Sequence, residues 1–223
     1  MSDKRKKSGR KCKQDVIMSS VFRKQLPDIA EKIIENCYNE NCYTHIDYDP
    51  IPSNNLAVEV INRFKEVLFP GYFTLGKLDP ANLKYSMGQS VSDLFDILSE
   101  QITNSIRHDC LRYGKPCTDC YEKGQKIALN ILEEVPSLRK ILATDVKATF
   151  EGDPAAKSHD EIISSYPGLF AIMVYRIANK LYKKDVPLLP RIMSEYAHSK
   201  TGIDIHPGAD IKRNGLLLIT AQA

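Results

Sequence analysis

The chain has 223 residues, 43% of them hydrophobic and 26% charged, with a formal net charge of +3. That is enough apolar material for one sizeable core or two modest ones, and it excludes global disorder and fibrous architectures. No apolar run is long enough for a transmembrane helix. The basic start leads into Gln14, Asp15 and Arg23 rather than an apolar stretch, so the expectation is a cytoplasmic protein with no secretory leader and no membrane partner.

Residues 1–14 hold seven Lys or Arg against Asp3, a charge of +6 that leaves −3 for the rest. Such a block reads as a disordered, solubilising tail, taken here as residues 1–20. A nucleic-acid or lipid contact is the less favoured alternative.

From residue 21 the pattern is helical. Ile29, Ile33 and Cys37 recur at i, i+4 and i+8. Ser53 predicts an N-cap, and Leu56, Val60, Phe64 and Leu68 form a stripe ending at Pro70-Gly71. A longer helix carries Val91, Leu94, Phe95, Leu98, Ile102 and Ile106 and stops at Gly114. Next come Ile127, Ala128, Ile131, Leu132 and Val135, then Leu138, Ile141 and Leu142 after Pro136. Every stripe is read as core packing.

Six cysteines without a secretory signal argue against disulfides. Cys117 and Cys120 form a Cys-x-x-Cys, with Cys110 seven residues earlier. A structural zinc site wants four ligands. His108 with Cys110, Cys117 and Cys120 would supply them, as would Cys37 and Cys42 with Cys117 and Cys120. The adopted reading is reduced, unliganded thiols, with no metal assigned.

At Gly152-Asp153-Pro154 the helical pattern breaks, with Gly152 a plausible C-cap. His159 and Asp160 are assigned to a solvated turn. A new helix begins near Tyr166-Pro167-Gly168 with a buried face of Phe170, Met173, Val174, Ile177 and Leu181, and a shorter one runs from about Leu188 to His198. After Thr201 the character changes. Ile205, Ile211 and Leu217 are six apart, the period of a hexapeptide β-helix. Three anchors make about one coil, too little to bury its own face, so this segment is expected to fray.

Several blocks together resemble the serine O-acetyltransferase family. They are Leu142-Ala143-Thr144-Asp145-Val146, Gly152-Asp153-Pro154-Ala155-Ala156-Lys157-Ser158, Tyr166-Pro167-Gly168 and Tyr175-Arg176-Ile177-Ala178. Pro190 to Ser199 and Thr201 to Ala209 continue the match. The Cys117-x-x-Cys120 segment is similar to a bacterial subgroup of the family, and Phe170 stands where some members carry a His.

The resemblance implies an all-α, multi-helix N-terminal domain over residues 21–200, followed at 201–223 by the truncated start of a left-handed hexapeptide β-helix. The family continues after Ile211 with a Gly and a segment like Phe-Ile-Asp-His-Gly-Thr-Gly. Here the chain reads Lys212-Arg213-Asn214-Gly215-Leu216-Leu217-Leu218-Ile219-Thr220-Ala221-Gln222-Ala223. A coding string TTT-ATT-GAT-CAC-GGC-ACA-GGC, read one base later, gives Leu-Leu-Ile-Thr-Ala-Gln-Ala, the order of residues 217–223. The expectation is therefore an out-of-frame stretch over about 212–223; the alternative is a divergent tail.

The resemblance further implies an acyltransferase that moves acetyl from acetyl-CoA to L-serine, giving O-acetylserine and CoA in cysteine biosynthesis. Acetyl-CoA is a co-substrate, and direct transfer needs no other cofactor. A His general base takes the serine proton, an Asp orients it, and donors stabilise the oxyanion. Asp153 matches the carboxylate that holds the substrate ammonium; read from the residues alone it is an N-cap for the next segment. Asp204 matches the Asp that orients the base; read alone it is an outward residue between two isoleucines. The general-base His would lie beyond Ile211 and is missing. His206 is a turn residue, His198 suits a helix end, and His45 with Asp47 sits in a polar stretch. Family members form trimers or dimers of trimers and dock into O-acetylserine sulfhydrylase through a C-terminal tail this chain does not show. The chain alone is expected to be inactive. The alternatives are a helical oligomerisation or interaction module, and a zinc-stabilised binding module.

Overall fold

The computed structural model describes residues 20–39, 41–46, 51–74, 76–116 and 118–212. The basic tail of residues 1–14, Asp47, Cys117 and the stretch 213–223 with Leu217 lie outside them. The chain divides into two compact units, Met1–Tyr48 and Asp49–Ala223. Among the described residues there are helices and loops and no strand.

The first unit holds α1, Leu26–Cys37, with Pro27 in its first turn and Asp28 near the positive end of the helix dipole. None of its residues is buried. Ile29 is 48% exposed and Ile33 60%, so the core reading of this stripe is overturned. Helical spacing gathers apolar side chains on one face but does not supply a surface to cover them, and a unit this short has little with which to build one.

The second unit is a helical body. Ser53 caps α2, Asn54–Leu68, by accepting from the Leu56 N–H at 3.5 Å. Its own N–H donates to Gln101 Oε1 at 3.1 Å. The helix buries Ala57, Val60, Ile61, Phe64, Val67 and Leu68, whereas Leu56 stays exposed. The larger of these side chains each contribute about 1.5–3 kcal/mol on full burial, which outweighs a cap worth about 1 kcal/mol. α3, Leu83–Arg112, turns Leu94, Leu98, Ile102 and Ile106 inward and leaves Val91 exposed. Its end is set by Gly114 at φ +59, a left-handed position that costs glycine nothing.

α4, Cys120–Glu133, returns along α3 as a helical hairpin. The two backbones approach closely at Gly124, where a Cβ would stand 2.2 Å from Thr103 Oγ1 and 3.1 Å from the Ser99 carbonyl oxygen. α5, Val135–Gly152, carries Pro136 in its first turn and buries Leu138, Leu142 and Val146.

The solvated turn expected at His159 and Asp160 is instead α6, His159–Ser165. Ser158 accepts from the Glu161 N–H at 3.1 Å, and Glu161 Oε2 accepts from the Lys157 N–H at 2.8 Å. This is close to the reciprocal arrangement of a capping box, which overrides the polar composition. α7, Pro167–Tyr182, is buried on nearly all sides, from Leu169 and Ile172 to Arg176 and Asn179. Phe170 is only half-buried. α8, Leu189–Thr201, closes at Gly202, φ +73, whose N–H donates to the His198 carbonyl at 2.8 Å.

Candidate functional site

Asp153 sits at the joint between α5 and α6. It is the residue on which α5 ends, in extended backbone, and does not cap the next helix; Ser158 does. Its Oδ1 accepts from the Ala155 N–H at 2.9 Å, which makes the turn through Pro154. Its Oδ2 accepts from the Tyr166 hydroxyl at 2.8 Å. That hydrogen bond to an anion raises the Tyr166 pKa above its ordinary value. The carboxylate is held on two sides and half-buried. A carboxylate has roughly four acceptor positions, so capacity for a cation remains. Tyr166 also lines a cleft of about 280 Å³ with Lys65, Phe73, Phe170 and Lys200. Burial lowers the Lys65 pKa, and its ammonium lies 4.1 Å from the Phe73 ring centre.

Asp204 lies on the strip that follows α8. Exposure alternates there: Ile203, Ile205, Ala209 and Ile211 are half-buried, while Asp204, His206, Gly208, Asp210 and Lys212 are exposed. Asp204 thus faces outward, as its place between two isoleucines predicts. No hydrogen bond or ion pair joins it to Asp153 or to a histidine among the described residues.

The strip is anchored rather than frayed as far as Lys212. Ile205 and Ile211 pack on the helical core. One face of α7 grips the backbone. The Tyr175 hydroxyl donates to the Ala209 carbonyl at 2.6 Å and accepts from the Ile211 N–H at 3.0 Å. Asn179 Nδ2 donates to the Pro207 and Ala209 carbonyls at 2.7 and 3.2 Å. Arg176 donates to the Ile211 and Lys212 carbonyls at 3.4 and 3.2 Å. Behind it, Arg176 makes a two-pronged contact with Asp145 of α5, with both bonds at 2.9 Å. The Asp145 side chain is fully buried and that of Arg176 is 7% exposed.

The other histidines have local tasks. His206 Nδ1 accepts from the Gly208 N–H at 3.0 Å and so shapes its own turn. His198 lies 3.9 Å from Glu195. His159 stacks near Phe150, ring centres 4.5 Å apart. His45 belongs to the first unit and His108 to the second.

Sequence reasoning missed Tyr166, Asp145, Tyr175, Arg176 and Asn179 as working side chains. The signal for Asp145 was available: it falls on the buried face of a helix marked by Leu138, Leu142 and Val146, where a charge requires a partner.

No family model matches the chain. A plasmid-encoded serine acetyltransferase of Synechococcus elongatus is 35% identical over 165 residues, covering 73% of this chain and 52% of that protein. The serine acetyltransferase of Bacillus subtilis is 46% identical over 74 residues, 33% of this chain and 34% of its own length. The crystal structure of Entamoeba histolytica serine acetyltransferase 1 in complex with L-cysteine superposes with a TM-score of 0.56 at 29% identity, over 77% of this chain and 56% of that one. The chain thus spans about half the length of the longest of these matches, or less. Over these stretches the chain is similar in sequence and in fold to proteins named serine acetyltransferase.

Proposed function

We propose that this chain is the helical part of a cytoplasmic serine O-acetyltransferase, which moves acetyl from acetyl-CoA to L-serine and releases O-acetylserine and CoA. Beside the family likeness, one observation carries the reading. Asp153 is a carboxylate fixed by Tyr166 and the Ala155 N–H at a helix joint, with acceptor capacity left for an ammonium. In this reading Asp153 holds the amino group of serine. Asp204 aligns a histidine that takes the serine hydroxyl proton as the hydroxyl oxygen attacks the thioester carbonyl. Direct transfer uses acetyl-CoA as co-substrate and calls for no resident cofactor.

The 223-residue chain is proposed to be inactive by itself. No described histidine meets Asp204, and the oxyanion and acetyl-CoA need donors and a groove between stacked coils. The native protein is proposed to be longer, with the reading frame restored past Ile211. It would assemble as a trimer or dimer of trimers and engage O-acetylserine sulfhydrylase through the later tail. Thiol release from acetyl-CoA tests this, with the 223-residue chain run beside the frame-restored protein. Turnover is expected only from the restored protein. Asp153→Ala in it should weaken serine use by about 2–4 kcal/mol and leave acetyl-CoA use nearly unchanged. Turnover by the 223-residue chain, abolished by His206→Ala or His198→Ala, would reject the assignment.

A second reading, a helical self-association module, is favoured by the exposed apolar face of α1. Light scattering across a concentration series checks it: a mass that stays monomeric removes it.

A further inference from the structure

The cleft that Tyr166 borders carries charge of one sign. Lys65 of α2 and Lys200 of α8 line it, and no acidic residue does. Lys65 is half-buried. Other partly or fully buried cations of this body have carboxylate partners: Lys180 and Lys184 share Glu134, and Arg176 has Asp145. Among the described residues, no carboxylate stands within ion-pair distance of Lys65. Its ammonium rests instead against two rings, 4.1 Å from the centre of Phe73 and 5.7 Å from that of Phe170. Lys200 lies 5.6 Å from the centre of the Tyr196 ring, which packs edge-on against Phe170 at 6.3 Å. A ring face attracts a cation but does not neutralise it. Burial therefore acts on Lys65 without an opposing anion and lowers its pKa.

The hydroxyls around the cleft have spent their protons. Ser164 donates to the Asp160 carbonyl at 2.6 Å, Thr201 to the Ala197 carbonyl at 2.8 Å, and Tyr166 to Asp153 at 2.8 Å. Ser165 donates to the Glu161 carbonyl. Among these side chains, the two ammonium groups are left as donors for a ligand. The remaining walls, among them Phe69, Leu169 and Met173, are apolar. The volume, about 280 Å³, lies at the small end of ligand pockets, about 300–1,000 Å³.

We propose that this cleft binds a small organic carboxylate with an apolar body, the carboxylate between Lys65 and Lys200 and the body against the aromatic walls. An anion gives the half-buried Lys65 ammonium the partner that the chain does not supply. The apolar body covers ring surface that water now meets. The proposal concerns binding and does not depend on acetyl transfer.

The test is calorimetric titration of the 223-residue chain with phenylacetate at constant ionic strength. Saturable binding at one equivalent is expected. Phenylacetamide, the uncharged counterpart, and acetate, which lacks the body, should each bind about tenfold more weakly or worse. Lys65→Met keeps the apolar stem and should weaken phenylacetate about tenfold, the loss expected of one charge-assisted hydrogen bond. Lys200→Met should weaken it less, because Lys200 is exposed. Lys140→Met, an exposed lysine outside this cleft, makes the same charge change and should leave binding as it was. Far-UV circular dichroism separates a lost contact from a lost fold, and the comparison of ligands on the unaltered chain needs no variant. Absence of saturable phenylacetate binding would overturn the proposal. So would phenylacetamide or inorganic phosphate binding as tightly as phenylacetate. Displacement of phenylacetate by L-serine would assign the lysines to the substrate site and overturn it as well.

Discussion

α1 and α7 carry similar sequence signals and have opposite fates. Both show apolar residues at helical spacing, and both open with a proline in the first turn. α1 buries none of its residues, while α7 buries twelve of its sixteen, a charge and an amide among them. Amphipathic spacing therefore specifies a helix and a face, and says little about whether the face is covered. α7 is covered because other helices and the strip after α8 surround it, and its polar side chains are spent on that strip.

The largest test of this contrast is the buried pair behind the grip. Asp145→Ala leaves the Arg176 guanidinium without its carboxylate in a dry site, and should cost about 3–5 kcal/mol in a denaturant titration. Replacing both by apolar residues, Asp145→Leu with Arg176→Met, should recover much of that stability while leaving the 207–212 strip more open to protease. Recovery of stability with unchanged protease resistance would show that Arg176 does not anchor the strip.

Ile177→Ala comes next. It deletes a fully buried side chain in α7 and should cost about 2–5 kcal/mol, with the chemical denaturation midpoint as the readout.

A smaller effect is expected at Glu134, which joins the start of α5 to the end of α7 through Lys180 and through Lys184 at 3.4 Å. Partial burial alone would raise its pKa, but the hydrogen bonds and charges of the two lysines prevail and hold it below the usual value. A carboxylate depressed in the folded state stabilises above its unfolded pKa of about 4.3. That stability is lost as pH falls through the folded value. Glu134→Gln should therefore cost about 0.5–1 kcal/mol at pH 7, and the difference from the parent should vanish in acid. A difference that persists at low pH would assign the effect to packing.

The smallest effect belongs to α1. Ile33→Ser removes an exposed side chain and should change stability by no more than about 0.5 kcal/mol. A loss of 2 kcal/mol or more that grows with protein concentration would show that a second copy covers this face.

The sequence alone determined most of the helical plan. Ser53 before an apolar stripe, Gly114 after one, and the Gly152-Asp153-Pro154 break fall where helices begin and end, because caps and breakers act within a few residues of themselves. α6 was legible too, in Ser158 followed three residues later by Glu161, but the polarity of His159 and Asp160 obscured it. The blocks around Asp153 and Asp204 marked the candidate site by resemblance. What surrounds them was decided by tertiary structure. Tyr166 reaches Asp153 across thirteen residues, Arg176 reaches Asp145 across thirty-one, and Tyr175 reaches Ile211 across thirty-six. Local periodicity carries no information about which distant chain a side chain will meet. Burial and partner choice emerge only when helices pack, since each depends on surfaces the local sequence does not contain.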